Sequence, residues 1–167
     1  SIEEKTGKVY LTSIYRDTYL KLGDENYYDK INHAFANGGP KEMMKTVNQA
    51  LDLNIKKYVL FNFKAVSDVV EEVNGINIDV KDYEIDELNK YTYETALIIG
   101  TENYNMVSEA GPQKLTGPQA VAYGRIRKGV GDDFKRTERM RTVIKKLLTK
   151  VKKQSFLKID NLIDATM

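Results

Sequence analysis

Cysteine is absent from the 167 residues, which excludes disulfides, thiol nucleophiles and thiolate metal sites. That absence fits either a reducing compartment or an exported protein that dispenses with thiols. His33 is the single histidine, so neither a multi-histidine metal centre nor a Ser-His-Asp arrangement with a choice of bases can be built. A structural place at a loop edge is expected of it. Three prolines and eleven glycines are too few for a collagen-like chain, and 41% hydrophobic residues are too many for a disordered one. No stretch approaches the roughly 18 consecutive apolar residues of a membrane span. The opening Ser1-Ile2-Glu3-Glu4-Lys5 is too polar for a signal peptide. The length suits one soluble domain of roughly 100 to 200 residues.

Charge of one sign is scarce in some places and concentrated in others. The net charge is +2, yet residues 1–124 carry 13 Lys/Arg against 19 Asp/Glu, while residues 125–153 carry 12 against 3. Such a local excess favours a polyanionic or phosphorylated partner, although a solvated helix face produces the same count.

Lys8 to Ile14, rich in β-branched and aromatic residues after the Thr6-Gly7 turn, reads as a strand. Because Ser1-Ile2 stands directly before that turn, the chain reads as beginning at the tail of an earlier strand. Pro40, after Gly38-Gly39, is placed as a first helical residue, and Met43, Met44, Val47, Ala50 and Leu51 give residues 40–51 a helical apolar face. Tyr58 to Phe63 is an apolar run of strand length, expected to be a central strand buried on both faces. Ala65 to Val73 follows as a helix stopped by Asn74-Gly75, and Ile76 to Val80 as a half-exposed strand alternating at period two.

Residues 81–114 read as an acidic, less regular rim with a strand at Tyr93 to Ile99. Thr116-Gly117-Pro118-Gln119 has the spacing of a capping box ahead of a short helix. Arg125 to Arg127 is read as a strand and Gly129 to Lys135 as a loop. Met140, Val143, Ile144, Leu147, Leu148 and Val151 make one apolar stripe on a helix of about five turns. Helices alternating with strands favour an α/β layered sheet with helices on both faces, without a linker or repeat to divide it.

Three arginine clusters carry the candidate chemistry: Arg16, Arg125 with Arg127, and Arg136 with Arg139. On a strand, Arg125 and Arg127 would share one face about 6 to 7 Å apart, a spacing suited to a pyrophosphate. Arg136 and Arg139 share a face at the head of a helix, where positive charge opposes the dipole unless an anion is bound. The alternative is that these arginines pair with Asp132, Asp133 and Glu138 on the surface. Phosphoryl transfer needs a metal site or a base beside such cations, and Asp17 and Asp133 are the acids next to the clusters. Each is either a catalytic carboxylate or an arginine partner. Gly38-Gly39-Pro40 could cradle phosphate but lacks the Lys-Ser/Thr of a P-loop.

Four strings together resemble the LytR-CpsA-Psr family in order and spacing. They are Ser13-Ile14-Tyr15-Arg16-Asp17-Thr18, Asp29 to Pro40 (DKINHAFANGGP), Gly117 to Arg127 (GPQAVAYGRIR), and Asp133 to Arg139 (DFKRTER). The resemblance runs from about residue 1 to 153. It implies a three-layer α-β-α sandwich with a central mixed sheet, outside the cytoplasm and anchored to the membrane of a Gram-positive bacterium. It further implies transfer of teichoic-acid or capsular glycopolymers from a polyprenyl-pyrophosphate carrier to peptidoglycan through a phosphodiester bond.

By that resemblance Arg16, Arg125, Arg127 and Arg136 match arginines that hold the pyrophosphate, Arg139 matches a further motif arginine, and Asp133 matches the acid ahead of that cluster. With Asp17, Arg16 and Asp133 form the expected catalytic set. Tyr15, Lys135 and Met140 stand where the family usually has Pro, Gly and Gln. The family's Mg²⁺-binding aspartates are expected upstream, with the first strand and the membrane anchor, so 1–167 is expected to be one domain lacking these parts. No metal ligand is assigned within it. A nucleic-acid-binding regulator and a polyprenyl-phosphate binding module without turnover are the rival readings; specific binding to double-stranded DNA is not expected.

Overall fold

The computed structural model describes residues 2–3, 5–23, 27–102, 104–127 and 132–153. They form a mixed α/β structure whose chain divides into two compact units, residues 1–60 and residues 61–167. Strand pairing among the described residues consists of three two-stranded antiparallel ladders. The α/β class expected from the sequence is therefore present, but these residues do not themselves make a central mixed sheet.

In the first unit, β1 (Ile2–Glu3) pairs with β2 (Lys8–Val9), and β3 (Tyr19–Leu22) with β4 (Tyr27–Lys30). The strand expected over Lys8 to Ile14 shortens to β2, since only Lys8 and Val9 find ladder partners. Helix α1 (Ile31–Leu51) begins nine residues before Pro40 and bends at Gly39, whose φ of 66° and ψ of −159° belong to a region open only to glycine. Pro40 opens the second segment, where its missing N–H costs nothing. The Gly pair is thus a kink inside a helix rather than an open phosphate loop. Asn48, on α1, holds the following segment by donating to the carbonyl of Ile55 and accepting from its N–H, at 2.9 and 2.8 Å.

Tyr58 to Phe63 is not a buried central strand. Residues 53–62 have no regular structure, Val59 is 74% exposed, and Phe63 starts a helix. A continuous apolar run becomes a core strand only where neighbouring strands pair with its backbone, and no described residue does so.

The second unit is built around a helix buried along nearly its whole length. Helix α2 (Phe63–Glu72) is capped by Asn62, whose Oδ1 accepts from Ala65 N at 2.8 Å. It stops at Asn74 and Gly75, both at positive φ. Strand β5 (Ile76–Val80) alternates buried and exposed as expected and pairs with β6 (Gly111–Leu115), Ile76 opposite Leu115. Between them lie a 3₁₀ turn (Asp82–Glu84) and helix α3 (Ile85–Ile99). This corrects both the irregular rim and the strand at Tyr93 to Ile99. Leu88, Thr92, Thr95 and Ala96 face inward at helical spacing, but two of the four are threonines, so an apolar count misses the period.

Helix α4 (Gly117–Arg125) has every residue from Gly117 to Gly124 buried, against α2, α3 and α5 (Asp132–Lys153). Its start shows the capping contact expected, Thr116 N donating to Gln119 Oε1 at 2.9 Å, and Glu71 Oε1 accepts from Gly117 N at 2.6 Å. Both place negative oxygen at the positive end of the helix. Gly117 is required by closeness: a Cβ there would lie 2.5 Å from the carbonyl oxygen of Ser67. On α5, Val143, Leu147 and Val151 pack on the core, whereas Met140, Ile144 and Leu148 are left exposed. Lys150 ties α5 to the end of α2 by donating from Nζ to the carbonyls of Val73, Asn74 and Gly75. Burial lowers the pKa of that ammonium, with Lys114 acting in the same direction.

Candidate phosphate-binding site

Arg125 is the last residue of α4 and Ile126 its C-cap, so the pair Arg125 and Arg127 does not sit on a strand. The face-sharing inferred from alternation does not apply; the helix simply ends there. Arg125 Nη2 donates to Glu94 Oε2 and Nη1 to Thr95 Oγ1, both at 2.9 Å. Its Cζ lies 5.2 Å from the ring centre of Phe63 and 4.8 Å from that of Tyr91, within the reach of cation–π attraction. Two rings, a carboxylate and a hydroxyl therefore hold one guanidinium, whose side chain is 22% exposed.

An open apolar cleft of about 410 Å³ adjoins this arginine through Phe63. Phe61, Asn62, Phe63 and Lys64 line it from the start of α2, and Ile98 and Ile99 from α3. Glu94 and Thr95 lie one helical turn before these isoleucines, so the cation stands at one end of an apolar surface. Arg127, two residues on, is exposed and pairs with no acid among the described residues.

Arg139 has a different environment from that expected of a phosphate ligand. It is 4% exposed, its Nε donates to Glu84 Oε1 at 2.7 Å, and its Nη1 donates to the carbonyl of Ile126 at 3.1 Å. Glu84 in turn accepts from Lys81 N at 3.0 Å. This buried pair braces the junction between Arg125 and Arg127. Tyr123 lies beside it, and burial, reinforced by the Glu84 carboxylate, pushes its phenol up to about 12. Arg136 lies on the first turns of α5, half-buried. Asp133 is in the first turn of that helix, its side chain outside the described residues; of the loop expected over Gly129 to Lys135, residues 132–135 are helix instead, and 129–131 lie outside the described residues. Where the family usually has Gln, the sulfur of Met140 packs on α4, so close that a Cβ at Gly124 would meet it at 2.5 Å.

In the first unit, Arg16 and Asp17 form a turn whose carbonyls cap α1: Ile31 N donates to Thr18 O at 2.8 Å and Asn32 N to Arg16 O at 3.2 Å. Arg16 Nε lies 3.5 Å from Asp17, and Lys30 Nζ lies 3.0 Å from the same carboxylate. Asp17 is thus an exposed partner to two cations, which is not the donor set of a divalent metal. Among the described residues no three His, Asp or Glu side chains converge. His33 faces Asp29, Nδ1 to Oδ2 at 2.5 Å, and Asp29 also accepts from Tyr27 Oη at 2.6 Å. These bonds, that from His33 first, lower the Asp29 carboxyl to about 2.

The sequence singled out Arg125 and Arg127, and Phe63 within the apolar run, but not Tyr91, Glu94 or Thr95. Tyr91, Glu94, Thr95 and Ile98 step by 3, 1 and 3, a helical signal hidden by the alternating Tyr91-Thr92-Tyr93.

The chain is 35% identical over 164 residues to the polyisoprenyl-teichoic acid–peptidoglycan teichoic acid transferase TagT of Bacillus subtilis, covering 97% of this chain and 47% of that protein. It is 33% identical over 158 residues to biofilm regulatory protein A of Streptococcus mutans, covering 90% and 37%. The chain therefore spans under half the length of these relatives. Of solved structures, TagT bound to LIIa-WTA matches with a TM-score of 0.71 at 35% identity over 85% of this chain and 51% of that one. YwtF (TagT) with bound octaprenyl pyrophosphate lipid matches with a TM-score of 0.66 at 31% identity, over 92% and 59%. With the family match extending over residues 1–167, the chain belongs to the LytR_cpsA_psr family.

Proposed function

We propose that this protein transfers an anionic glycopolymer, wall teichoic acid or capsular polysaccharide, from a polyprenyl-pyrophosphate carrier to peptidoglycan. The observation that carries the reading is Arg125 stacked near Phe63, which lines an apolar cleft, an arrangement that suits a ligand with an anionic head and an apolar tail. A relative is named as such a transferase, and a structure of TagT contains octaprenyl pyrophosphate.

In this reading Arg125, Arg127 and Arg136 neutralise the pyrophosphate and stabilise charge on the departing polyprenyl phosphate. A hydroxyl of a peptidoglycan sugar attacks the phosphorus nearer the glycan. The bond from that phosphorus to the bridging oxygen breaks, and polyprenyl phosphate leaves with the electron pair. Asp17 is committed to Arg16 and Lys30, so Asp133 is put forward to take the hydroxyl proton. Arg139 acts through position alone, and Arg16 retains the phosphate-binding role implied by the family. Magnesium held by aspartates upstream and a membrane anchor, with the domain outside the cytoplasm, belong to the same proposal. No helix among the described residues is long and apolar enough to cross a membrane. The basic excess of residues 125–153 is partly engaged inside the fold, Arg139 on Glu84 and Lys150 on three carbonyls, which weighs against one continuous basic track for nucleic acid.

The test supplies lipid-linked glycopolymer, peptidoglycan and Mg²⁺, and reads phosphodiester-linked polymer together with released polyprenyl phosphate. Both should appear and both should fall with chelator. Binding of the lipid without either product would favour the binding-module reading, and sequence-selective DNA binding at physiological salt without lipid binding would overturn the proposal.

A further inference from the structure

Arg125 already carries an anion. Its Nη2 donates to Glu94 Oε2 at 2.9 Å, while Nη1 is held by Thr95 Oγ1 at the same distance. The two partners differ in freedom. Thr95 is fully buried on the inner face of α3 and cannot leave without opening the core. The Glu94 side chain is 39% exposed, and a rotation about its own bonds returns the carboxylate to water.

We propose that Glu94 is a resident counter-ion of Arg125 and that a pyrophosphate-bearing ligand binds this arginine by displacing it. The inference rests on the phosphate-binding role proposed for Arg125, and it adds a residue that sets the affinity of that site.

Electrostatics and geometry both favour exchange. A guanidinium packed near Phe63 and Tyr91 is poorly hydrated, so before ligand arrives a carboxylate keeps it ordered and aimed. A partly exposed ion pair is weak because water competes for both partners. A phosphate oxygen offers the same fork a denser negative charge and more acceptor sites. A carboxylate that stayed in place would then stand beside phosphate oxygens of the same sign, which disfavours the state in which both are bound. Thr95, neutral and fixed, keeps Nη1 oriented through the exchange. Glu94 therefore weakens binding while preserving the shape of the site, a combination suited to a carrier that must be released after transfer.

Glu94→Gln separates charge from shape, because the amide oxygen still accepts from Nη2. Titration calorimetry with farnesyl pyrophosphate on the wild-type chain and on E94Q provides the measurement. Binding at least fivefold tighter by E94Q is expected. Wild-type binding with E94Q equal or weaker, its thermal midpoint unchanged, would overturn the displacement of Glu94 and leave the phosphate role of Arg125 standing. Binding by neither protein would overturn both. Should E94Q fail to fold, the carboxyl carbon resonance of Glu94 in the wild type gives the answer: it should move to a solvated position on addition of farnesyl pyrophosphate. A resonance unmoved at saturation would rule the exchange out.

Discussion

Arg139 Nε and Glu84 Oε1 meet at 2.7 Å with neither side chain more than 5% exposed, and the same guanidinium donates to the carbonyl of Ile126. Ile126 separates Arg125 from Arg127, so an ion pair inside the core fixes the backbone from which both candidate ligands project. Removing one partner of a buried pair leaves the other charged and unsolvated, at a cost of about 3 to 5 kcal/mol. Arg139→Ala should lower the urea unfolding free energy by that amount. A loss below about 1 kcal/mol would show that the pair does not brace the core.

Gly117 allows α4 to lie against the backbone of α2. A Cβ at this position would stand 2.3 Å from Ser67 Oγ and 2.5 Å from Ser67 O, and the carbonyl cannot turn aside without moving α2. Gly117→Ala should therefore destabilise by about 1 to 3 kcal/mol, despite the better helix propensity of alanine. Thermal unfolding at neutral pH checks it, and an unchanged or raised midpoint would contradict the close approach.

The acid response of the first unit should contain a contribution from Asp29. Its carboxyl titrates at about 2 in the folded chain, lowered chiefly by His33, and near 4 when unfolded. A depressed carboxylate pKa stabilises the fold above the unfolded value, and that stabilisation is lost as pH falls from about 4 to 2. Asp29→Asn should be less stable than wild type at pH 6, and the gap should close through this window. A gap that stays constant from pH 6 to pH 2 would deny the linkage.

Legibility of the sequence followed the kind of evidence each segment carries. The capping box at Thr116, the stop at Asn74-Gly75 and the alternation of Ile76 to Val80 depend on nearby residues, and each is in the structure as read. Tyr58 to Phe63 depends on distant partners, and its apolar pattern says nothing about whether a neighbouring strand is there to pair with. Helix α3 was missed because Thr92 and Thr95 occupy core positions, Thr92 with its hydroxyl turned back to the Leu88 carbonyl at 2.8 Å. At the site, the arginines were legible from charge and spacing. The inward turn of Arg139 was not, since its partner Glu84 lies 55 residues away and nothing local distinguishes it from Arg136.

The central claim is that arginines at the end of α4 hold the pyrophosphate of a lipid carrier, and Arg127 offers the cleanest test because it is exposed and pairs with no acid among the described residues. Its removal should leave the fold intact while deleting a charge-assisted hydrogen bond of about 1.5 to 3 kcal/mol. The measurement is the equilibrium affinity of polyprenyl pyrophosphate for the wild-type chain and for Arg127→Ala. Affinity roughly ten- to a hundredfold weaker in the variant, at an unchanged thermal midpoint, is the result expected; equal affinity in the two proteins would contradict it.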